Sequence, residues 1–236
     1  IFEVVLSQTY RAKFEHAPSV LFTRLKQVNP SPFEFLIQFG DEQLVGTSPE
    51  MFVRVEGERV ESCPISGTAR RTGNPMNDAE NLKALFNSEK DEVELTMCTD
   101  VDRNDKSRIC RPGTVKLLGR RQIETYAGLF HTVDHVEGRL REGLTGLDAF
   151  LSHMWAVTLT GAPKKKAVEI VEGAEKGPRG WYGGAVGALM LSGDVSTGIT
   201  IRTVHLKDGE ARYRVGATLV WDSVGEEERS EEHTSE

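Results

Sequence analysis

Short runs of β-branched and aromatic residues, each closed by turn-forming residues, recur along this chain and set the strongest limit on its fold. In the first quarter these runs cover residues 4–10, 33–40, 43–45 and 51–55. Turn formers such as Gly40-Asp41 follow them, and this alternation of strand-like runs and turn residues is typical of hairpins of antiparallel strands. Similar runs return over residues 115–139, 183–191, 198–206 and 210–221. The pattern therefore predicts antiparallel sheets built from both halves of the chain.

Three segments with helical spacing interrupt the strands. Residues 77–101 have an acidic start and apolar residues three or four apart, which predicts one or two helices. Residues 147–157 and 162–174 predict two more, and Pro163 suits the first turn of the second. Strands and helices do not alternate regularly, which disfavours a parallel βαβ arrangement. We therefore predict an α+β fold of antiparallel sheets packed with helices, in one domain over residues 1–228.

The charge balance limits the partners that such a domain could bind. Its 236 residues carry a formal net charge of -7 and its basic residues are dispersed, so nucleic acid is not expected as a partner. No apolar stretch approaches the roughly 20 residues that span a bilayer, so a membrane is not expected either. The three cysteines Cys63, Cys98 and Cys110 lack C-x-x-C spacing. They indicate reduced thiols in a cytoplasmic protein.

Both ends of the sequence are unusual. The first residue is Ile1, inside a strand-like run, so we expect that the natural protein begins earlier. Residues 229–236 contain no apolar residue and read like a translated sequencing adapter. We expect a non-native tail without packed partners there, the alternative being a native polar tail.

Two features of the sequence suggest a metal site or a catalytic residue, although each also has a purely structural explanation. Asp91 and Glu94 are three residues apart on a predicted helix, so their carboxylates face the same way, as ligands of a hard cation such as Mg²⁺ do. A solvated acidic helix face gives the same spacing. His131 lies in a strand-like run, where a lone histidine is more often structural than catalytic. Taken singly, these signals do not decide the function.

Six motifs considered together are more specific. They are residues 46–50 (GTSPE), 64–68 (PISGT), 100–105 (DVDRND), 158–164 (TLTGAPK), 182–187 (YGGAVG) and 201–203 (IRT). Their order and spacing resemble those of chorismate-utilising enzymes along nearly the whole chain, to about Glu228. Within that family the chain looks most like anthranilate synthase component I, in the bacterial form fused to a glutamine amidotransferase, an impression carried by residues 94–100 (ELTMCTD).

The resemblance implies a role for two catalytic residues. Glu50 matches the glutamic acid that protonates the departing C4 hydroxyl of chorismate, a task for a carboxyl kept neutral by its surroundings. His131 matches the histidine needed for the elimination of pyruvate. The implied fold is the chorismate-binding fold of anthranilate synthase component I.

The resemblance also implies ligands for a metal and for the substrate. Residues that would hold the cofactor Mg²⁺ are Glu94, Asp91, Glu228 and Glu231, the last of which lies in the predicted tail. Residues that would hold chorismate are Thr158, Tyr182, Arg202, Gly216 and Ala217. A planar guanidinium such as that of Arg202 suits a bidentate grip on a carboxylate. Thr218 departs from the glycine that many members have, so one backbone approach to the substrate is expected to differ.

Two positions separate the branches of the family. Glu3 stands where isochorismate and salicylate synthases have a water-activating lysine, and Ser66 stands where aminodeoxychorismate synthases have a nucleophilic lysine. The resemblance therefore implies addition of ammonia at C2, with ammonia supplied by a glutamine amidotransferase and anthranilate and pyruvate as products. Two alternatives remain open, a 2-amino-2-deoxyisochorismate synthase and a catalytically inactive chorismate-binding fragment. The sequence leaves the assembly open as well, with a homo-oligomer as one alternative.

Overall fold

The computed structural model describes residues 1–226 and 228. The predicted non-native tail, residues 229–236, lies outside the described residues, so the expectation about its packing stays a prediction. The strands are β1 (Glu3–Lys13), β2 (Phe33–Phe39), β3 (Glu42–Ser48), β4 (Met51–Glu56), β5 (Arg59–Ser62), β6 (Ile65–Arg70), β7 (Lys116–Thr125), β8 (Leu129–Arg139), β9 (Gly161–Ala162), β10 (Ala185–Leu189), β11 (Val195–Ile199), β12 (Thr203–Lys207) and β13 (Glu210–Val220). The helices are α1 (Pro18–Val28), α2 (Pro75–Asn87), α3 (Glu89–Ser107), α4 (Gly146–His153), α5 (Val157–Thr160) and α6 (Lys164–Ala174).

The described strands form two antiparallel sheets. Sheet A has six strands in the order β2-β3-β12-β13-β1-β9, and sheet B has seven in the order β10-β11-β4-β5-β8-β6, with β7 paired to the other side of β8. In sheet A, β1 pairs with β13 over its whole length, from Glu3 opposite Val220 to Lys13 opposite Glu210. The predicted α+β fold with antiparallel sheets is confirmed.

Several element boundaries differ from the prediction for local reasons. Residues 77–101 divide into α2 and α3 because Ser88 ends the first helix and its hydroxyl accepts from the backbone N–H of Asp91 at 3.2 Å, capping the second. The predicted helix over residues 147–157 ends at His153, where Met154 takes an extended conformation. Helix α1 escaped prediction because it has no side-chain cap and buries none of its residues. The short strands β5 and β6 were missed too.

The main apolar core lies between sheet B and helices α4 and α5. Its members are Phe52, Val53, Val55, Val60, Ile109, Cys110, Leu140, Ala149, Ala156, Leu159, Val195 and Ile199. Fully burying one such aliphatic side chain contributes about 1.5–3 kcal/mol, so this cluster fixes where α4 and α5 sit on the sheet. Among the described residues, no helix is both long and apolar enough to cross a membrane.

The two sheets share a ribbon of two strands that bends where the sheets meet. In sheet A, β3 pairs with β12; the chain continuing from β3 becomes β4 of sheet B, which pairs with β11. Each strand therefore crosses between the sheets once, at Glu50 after β3 and at Arg202 before β12. Thr47 N–H donates to Arg202 O at 3.2 Å and Ile199 N–H donates to Glu50 O at 3.0 Å. We call this bend, residues 47–50 and 199–203, the seam.

Candidate active site

Glu50 lies at the seam in an enclosed position. It is 5% exposed, and the Thr158 hydroxyl of α5 donates a hydrogen bond to its Oε1 at 3.0 Å. Burial raises the pKa of Glu50 to about 8, against the lowering effects of Thr158, the Ile65 N–H and the Arg202 charge. The carboxyl is therefore protonated at neutral pH and can donate that proton.

Arg202 occupies the other crossing of the seam. Its backbone has φ 48°, a left-handed conformation that costs a residue with a Cβ about 1 kcal/mol. This conformation explains why the predicted strand over residues 198–206 is wrong, since the chain turns at Arg202 from sheet B into sheet A. The turn brings the guanidinium near both Glu50 and His131, because its charge lowers the pKa of each. Glu50 and His131, which are far apart in sequence, thus both lie near the Arg202 guanidinium.

His131 points from β8 into the same region. Its Nδ1 lies 3.2 Å from Gly67 O and 3.2 Å from Thr68 Oγ1, and a carbonyl oxygen can only accept, so we assign the ring proton to Nδ1. Its Nε2 is buried and has no hydrogen-bond partner among the described residues. Burial, and then the charge of Arg202, lower the pKa of His131 to about 4. The ring is therefore neutral and offers a lone pair on Nε2, as a general base must.

Two buried groups, Glu3 and Cys98, lie beside the site although neither was among the predicted ligands or catalytic residues; Glu3 was considered only as a position that separates branches of the family. Glu3 is 1% exposed, and the Cys98 thiol lies 3.7 Å from its Oε1. Burial, and then the negative charge of Glu94, raise the pKa of Glu3 to about 8. The thiol in turn has Glu3, Glu94 and Glu50 as neighbouring charges, since all three raise the pKa of Cys98 in addition to burial. Cys98 thus joins the region of Glu94 to that of Glu50.

A sequence signal for Glu3 existed. Side chains two residues apart on a strand face the same side, and Val5 at that spacing is 2% exposed. Reading the alternation through the charged residue would have predicted that Glu3 is buried with Val5.

The proposed metal ligands that the structure describes lie near the first turns of α3. Asp91 and Glu94 are half-buried on this helix, and Asp91 packs against Gly67 of β6. Glu228 is 3% exposed and pairs with Lys90, which precedes Glu94 by one helical turn. The structure therefore brings Glu228 next to the turn of α3 that carries Asp91 and Glu94. Glu231 lies outside the described residues.

This donor set fits Mg²⁺. It consists of carboxylate oxygens, which hard cations prefer, and it includes one buried carboxylate that already attracts a cation, the Lys90 ammonium. Among the described residues, possible ligand atoms lie within 4.8 Å of one another in a different group, Glu61, Cys63 and His135. It does not suit a hard cation, because the salt bridges from Arg54 and Arg59 neutralise Glu61. In addition, burial raises the pKa of the Cys63 thiol to about 12.

The remaining predicted substrate contacts lie where sheet A approaches the seam. Gly183 N–H donates to Thr200 O at 3.1 Å, which ties Tyr182 to the seam. A Cβ at residue 216 would collide with the Tyr182 hydroxyl, so only glycine fits at Gly216. Ala217 follows on β13, opposite Leu6 of β1. The Tyr182 ring also lies under the Arg179 guanidinium, 5.7 Å from its centre.

The predicted site residues thus fall into three neighbouring groups. Direct contacts and shared charge join Glu50, Thr158, Arg202 and His131. Tyr182 and Gly216 form a second group, held to the seam through Thr200. The carboxylates of α3 and Glu228 form a third, connected to Glu50 through Glu3 and Cys98.

Comparison with known proteins gives this arrangement a family. The chain matches the model described as chorismate binding enzyme over residues 1–234. It is 54% identical over 232 residues to "Anthranilate synthase" of Azospirillum brasilense, covering 98% of this chain and 32% of that protein. It is 43% identical over 231 residues to "Anthranilate synthase component 1" of Acetivibrio thermocellus, covering 98% of this chain and 47% of that one. The chain therefore spans between a third and half of the length of these relatives.

A solved structure agrees with the sequence comparison. The crystal structure of anthranilate synthase component I from Streptococcus pneumoniae superimposes with a TM-score of 0.90 and 34% identity, covering 98% of this chain and 51% of that one. The seam and both sheets described above therefore follow a known architecture. By its sequence along nearly its whole length, and by this fold, the chain belongs to the chorismate-binding enzyme family.

Proposed function

We propose that this chain is the catalytic part of an anthranilate synthase component I, which converts chorismate and ammonia to anthranilate and pyruvate. The observation that carries the proposal is the pairing of a neutral acid with a neutral base at one seam, both beside the Arg202 guanidinium. The names of the 54% and 43% identical relatives support the same activity. The roles of the individual residues are part of the proposal.

The first half of the reaction uses Glu50 as an acid. Ammonia bonds to C2 of the ring while the bond between C4 and its hydroxyl oxygen breaks, and Glu50 gives its proton to the hydroxyl, which leaves as water. Thr158 holds Glu50 Oε1, and Arg202 binds a substrate carboxylate through its planar fork. Tyr182 and the backbone of Gly216 and Ala217 complete the substrate contacts.

The second half uses His131 as a base. The bond between C3 and the enolpyruvyl oxygen breaks while the proton at C2 leaves, which makes the ring aromatic. The released enolpyruvate takes up a proton at its methylene carbon and becomes pyruvate. The unprotonated Nε2 of His131, buried and without a protein partner among the described residues, is suited to accept the C2 proton. Its Nδ1–H, held by Gly67 O, keeps the ring in the orientation that this transfer needs.

Mg²⁺ is proposed as the cofactor, held by Asp91, Glu94, Glu228 and Glu231. When bound, it would neutralise these carboxylates together with a substrate carboxylate. Glu228 is at present balanced by Lys90, so this lysine would have to release it.

A glutamine amidotransferase is the proposed source of ammonia, and the cytoplasm the proposed location. This chain covers 32% of the Azospirillum relative and 47% of the Acetivibrio relative, so the Azospirillum protein is the longer of the two. Its additional sequence has room for a second domain such as an amidotransferase.

The test uses the whole protein that carries this chain, with chorismate, Mg²⁺ and ammonium. Anthranilate is followed by its fluorescence, pyruvate by a coupled assay and chorismate by its absorbance. Equal yields of anthranilate and pyruvate support the proposal. Loss of chorismate without pyruvate would identify a 2-amino-2-deoxyisochorismate synthase, and chorismate binding without any loss would identify an inactive relative.

A further inference from the structure

A small cavity with both apolar and charged side chains in its wall lies beside Glu50. Its volume is about 30 Å³, and Glu50 and Thr158 form one part of its wall. The rest of the wall includes Ser62, Asp102, Asp105, His153 and Lys164. A cavity needs about 10–15 Å³ for each water molecule and polar partners to bind it, so this one holds about two. The cavity therefore connects the proposed acid to a group of charged side chains that the reaction above does not use.

Ser62, Asp102 and His153 of this wall are bonded to a buried cation, Lys106. The Lys106 ammonium is fully buried and donates to Ser62 Oγ, to Asp102 Oδ2 at 2.9 Å and to His153 Nε2 at 3.3 Å. His153 Nδ1 donates to Ala149 O at 2.7 Å. Burial, and then the Lys106 charge, lower the pKa of His153 to about 3, so the ring stays neutral. This cluster places a neutral imidazole and a buried ion pair beside the cavity.

Asp105 is different from these neighbours. Lys164 Nζ lies 2.5 Å from its Oδ2, and the Lys164 side chain is 19% exposed, so this pair reaches the surface. Burial raises the pKa of Asp105 to about 6, against the charges of Lys164 and Arg108 and with that of Asp102. Asp105 therefore exchanges protons near neutral pH while lining the same cavity as Glu50.

We propose that Asp105 and the water in this cavity return a proton from solvent to Glu50 after each turnover. The proposal rests on the proposed role of Glu50 as the acid. When the bond between C4 and oxygen breaks, the proton of Glu50 leaves in the water product, and the nitrogen that bonds to C2 releases one proton. One proton entering through Asp105 restores Glu50, so the step is balanced.

The energetic direction favours this route. A proton moves readily from a group with a pKa of about 6 to one with a pKa of about 8. Glu50 is 5% exposed, so it has little direct contact with solvent. A path through the protein lets the acid recover without waiting for the substrate side to clear.

The decisive experiment separates the first turnover from later ones in the whole protein that carries this chain. In Asp105→Asn, the amide still accepts a hydrogen bond from Lys164 but delivers no proton. The first turnover, measured by rapid mixing with chorismate, should keep the parent rate because Glu50 starts protonated. Later turnovers should slow by about tenfold or more, with kcat/KM unchanged, so that KM falls together with kcat, and with a larger solvent isotope effect on kcat.

Two further variants control the interpretation. Asp100→Asn makes the same chemical change at an exposed position of α3 and should alter neither phase. Ala156→Val fills the cavity without removing a titratable group and should slow the later turnovers as Asp105→Asn does. If Asp105→Asn does not fold, Ala156→Val decides alone.

Two results would overturn the proposal. One is an unchanged steady-state rate in Asp105→Asn and Ala156→Val; the other is a first turnover slowed as much as the later ones, which indicates a structural role. Failure of the proposed function looks different, because the parent protein itself would then make no anthranilate.

Discussion

Glu50 and Glu175 are two buried glutamic acids that the fold treats in opposite ways. The Glu175 side chain is 5% exposed and receives Arg179 at 2.7 Å, Arg214 at 2.5 Å and the Ser7 hydroxyl at 2.7 Å. Burial acts to raise its pKa, but these partners lower it overall. Glu50 is enclosed more completely and has a hydroxyl at 3.0 Å but, among the described residues, no guanidinium bonded to it, and its pKa rises to about 8. The charge state of a buried carboxyl is thus set by its partners.

This difference distinguishes a structural carboxylate, Glu175, from a proposed catalytic carboxyl, Glu50. Glu175 ties the end of α6 to β1 and β13, where a permanent charge held by two arginines makes a stable joint. At the seam, burial without such full compensation leaves Glu50 protonated and His131 neutral. Uncompensated burial of this kind marks functional sites more often than structural ones.

The comparison is tested most strongly by Glu50→Gln. The amide fills the same space but cannot deliver a proton, so turnover should fall by about 10²–10⁴-fold while chorismate binding is kept. Rates of chorismate loss and equilibrium binding are measured on the same preparation. Equal loss of binding and turnover would contradict the role of Glu50 as an acid.

Glu175→Gln should show the reverse behaviour. It leaves Arg214, which is 9% exposed, without its counter-charge, and breaking a buried pair in this way costs about 3 kcal/mol of unfolding free energy. Urea unfolding measures the loss, with Glu50→Gln as the matched control of equal chemistry. A larger loss of stability in Glu50→Gln than in Glu175→Gln would reverse the distinction drawn above.

His131→Met divides the two halves of the reaction. Without the Nε2 lone pair, amination should continue while pyruvate release slows by about 10²-fold, so an aminated intermediate accumulates. Chorismate, pyruvate and anthranilate are quantified separately over time. Anthranilate formed at the parent rate would remove His131 from the mechanism.

The smallest expected effect is a pH dependence of stability. The folded state holds the Glu50 proton up to about pH 8, whereas an unfolded glutamic acid loses it near 4.5. The contribution of Glu50 is therefore fully present below pH 4.5 and is lost as pH rises toward 8. Between pH 5 and pH 8 the Tm of the parent should therefore fall further than that of Glu50→Gln. Parallel curves would mean that Glu50 is already ionised in the folded protein.

Sequence patterns predicted what is local in this molecule. Turn formers and alternation gave the hairpins, and helical spacing placed Asp91 and Glu94 on the same side of α3. The bland interpretation of α3 as a solvated acidic face does not hold for its second half, where Asp102, Asp105 and Lys106 are buried. The spacing of residues in the sequence did not indicate this burial, because a buried ion pair and an exposed one consist of the same residue types.

The long-range part of the site could not be predicted from local patterns. Glu50 and Arg202 become neighbours only because two strands cross between the sheets side by side, and no short segment contains that information. The left-handed conformation occurs at Arg202 and not at a glycine or asparagine, so the residue type did not predict a turn there. Recognition of the family motifs supplied the roles of these residues, while the structure supplies the distances and protonation states that make the roles physically reasonable.

The pairing of β1 with β13 has a consequence for how the protein is made. Ser7 lies opposite Gly216, so the two sides of this ladder are separated by most of the chain. Hairpins such as β4–β5 and β7–β8 close over short loops, whereas this ladder has to wait for the last strand to leave the ribosome. Until then β1 exposes one unpaired edge to other chains. Chaperone binding to the nascent protein should therefore include β1 and decrease there when β13 arrives.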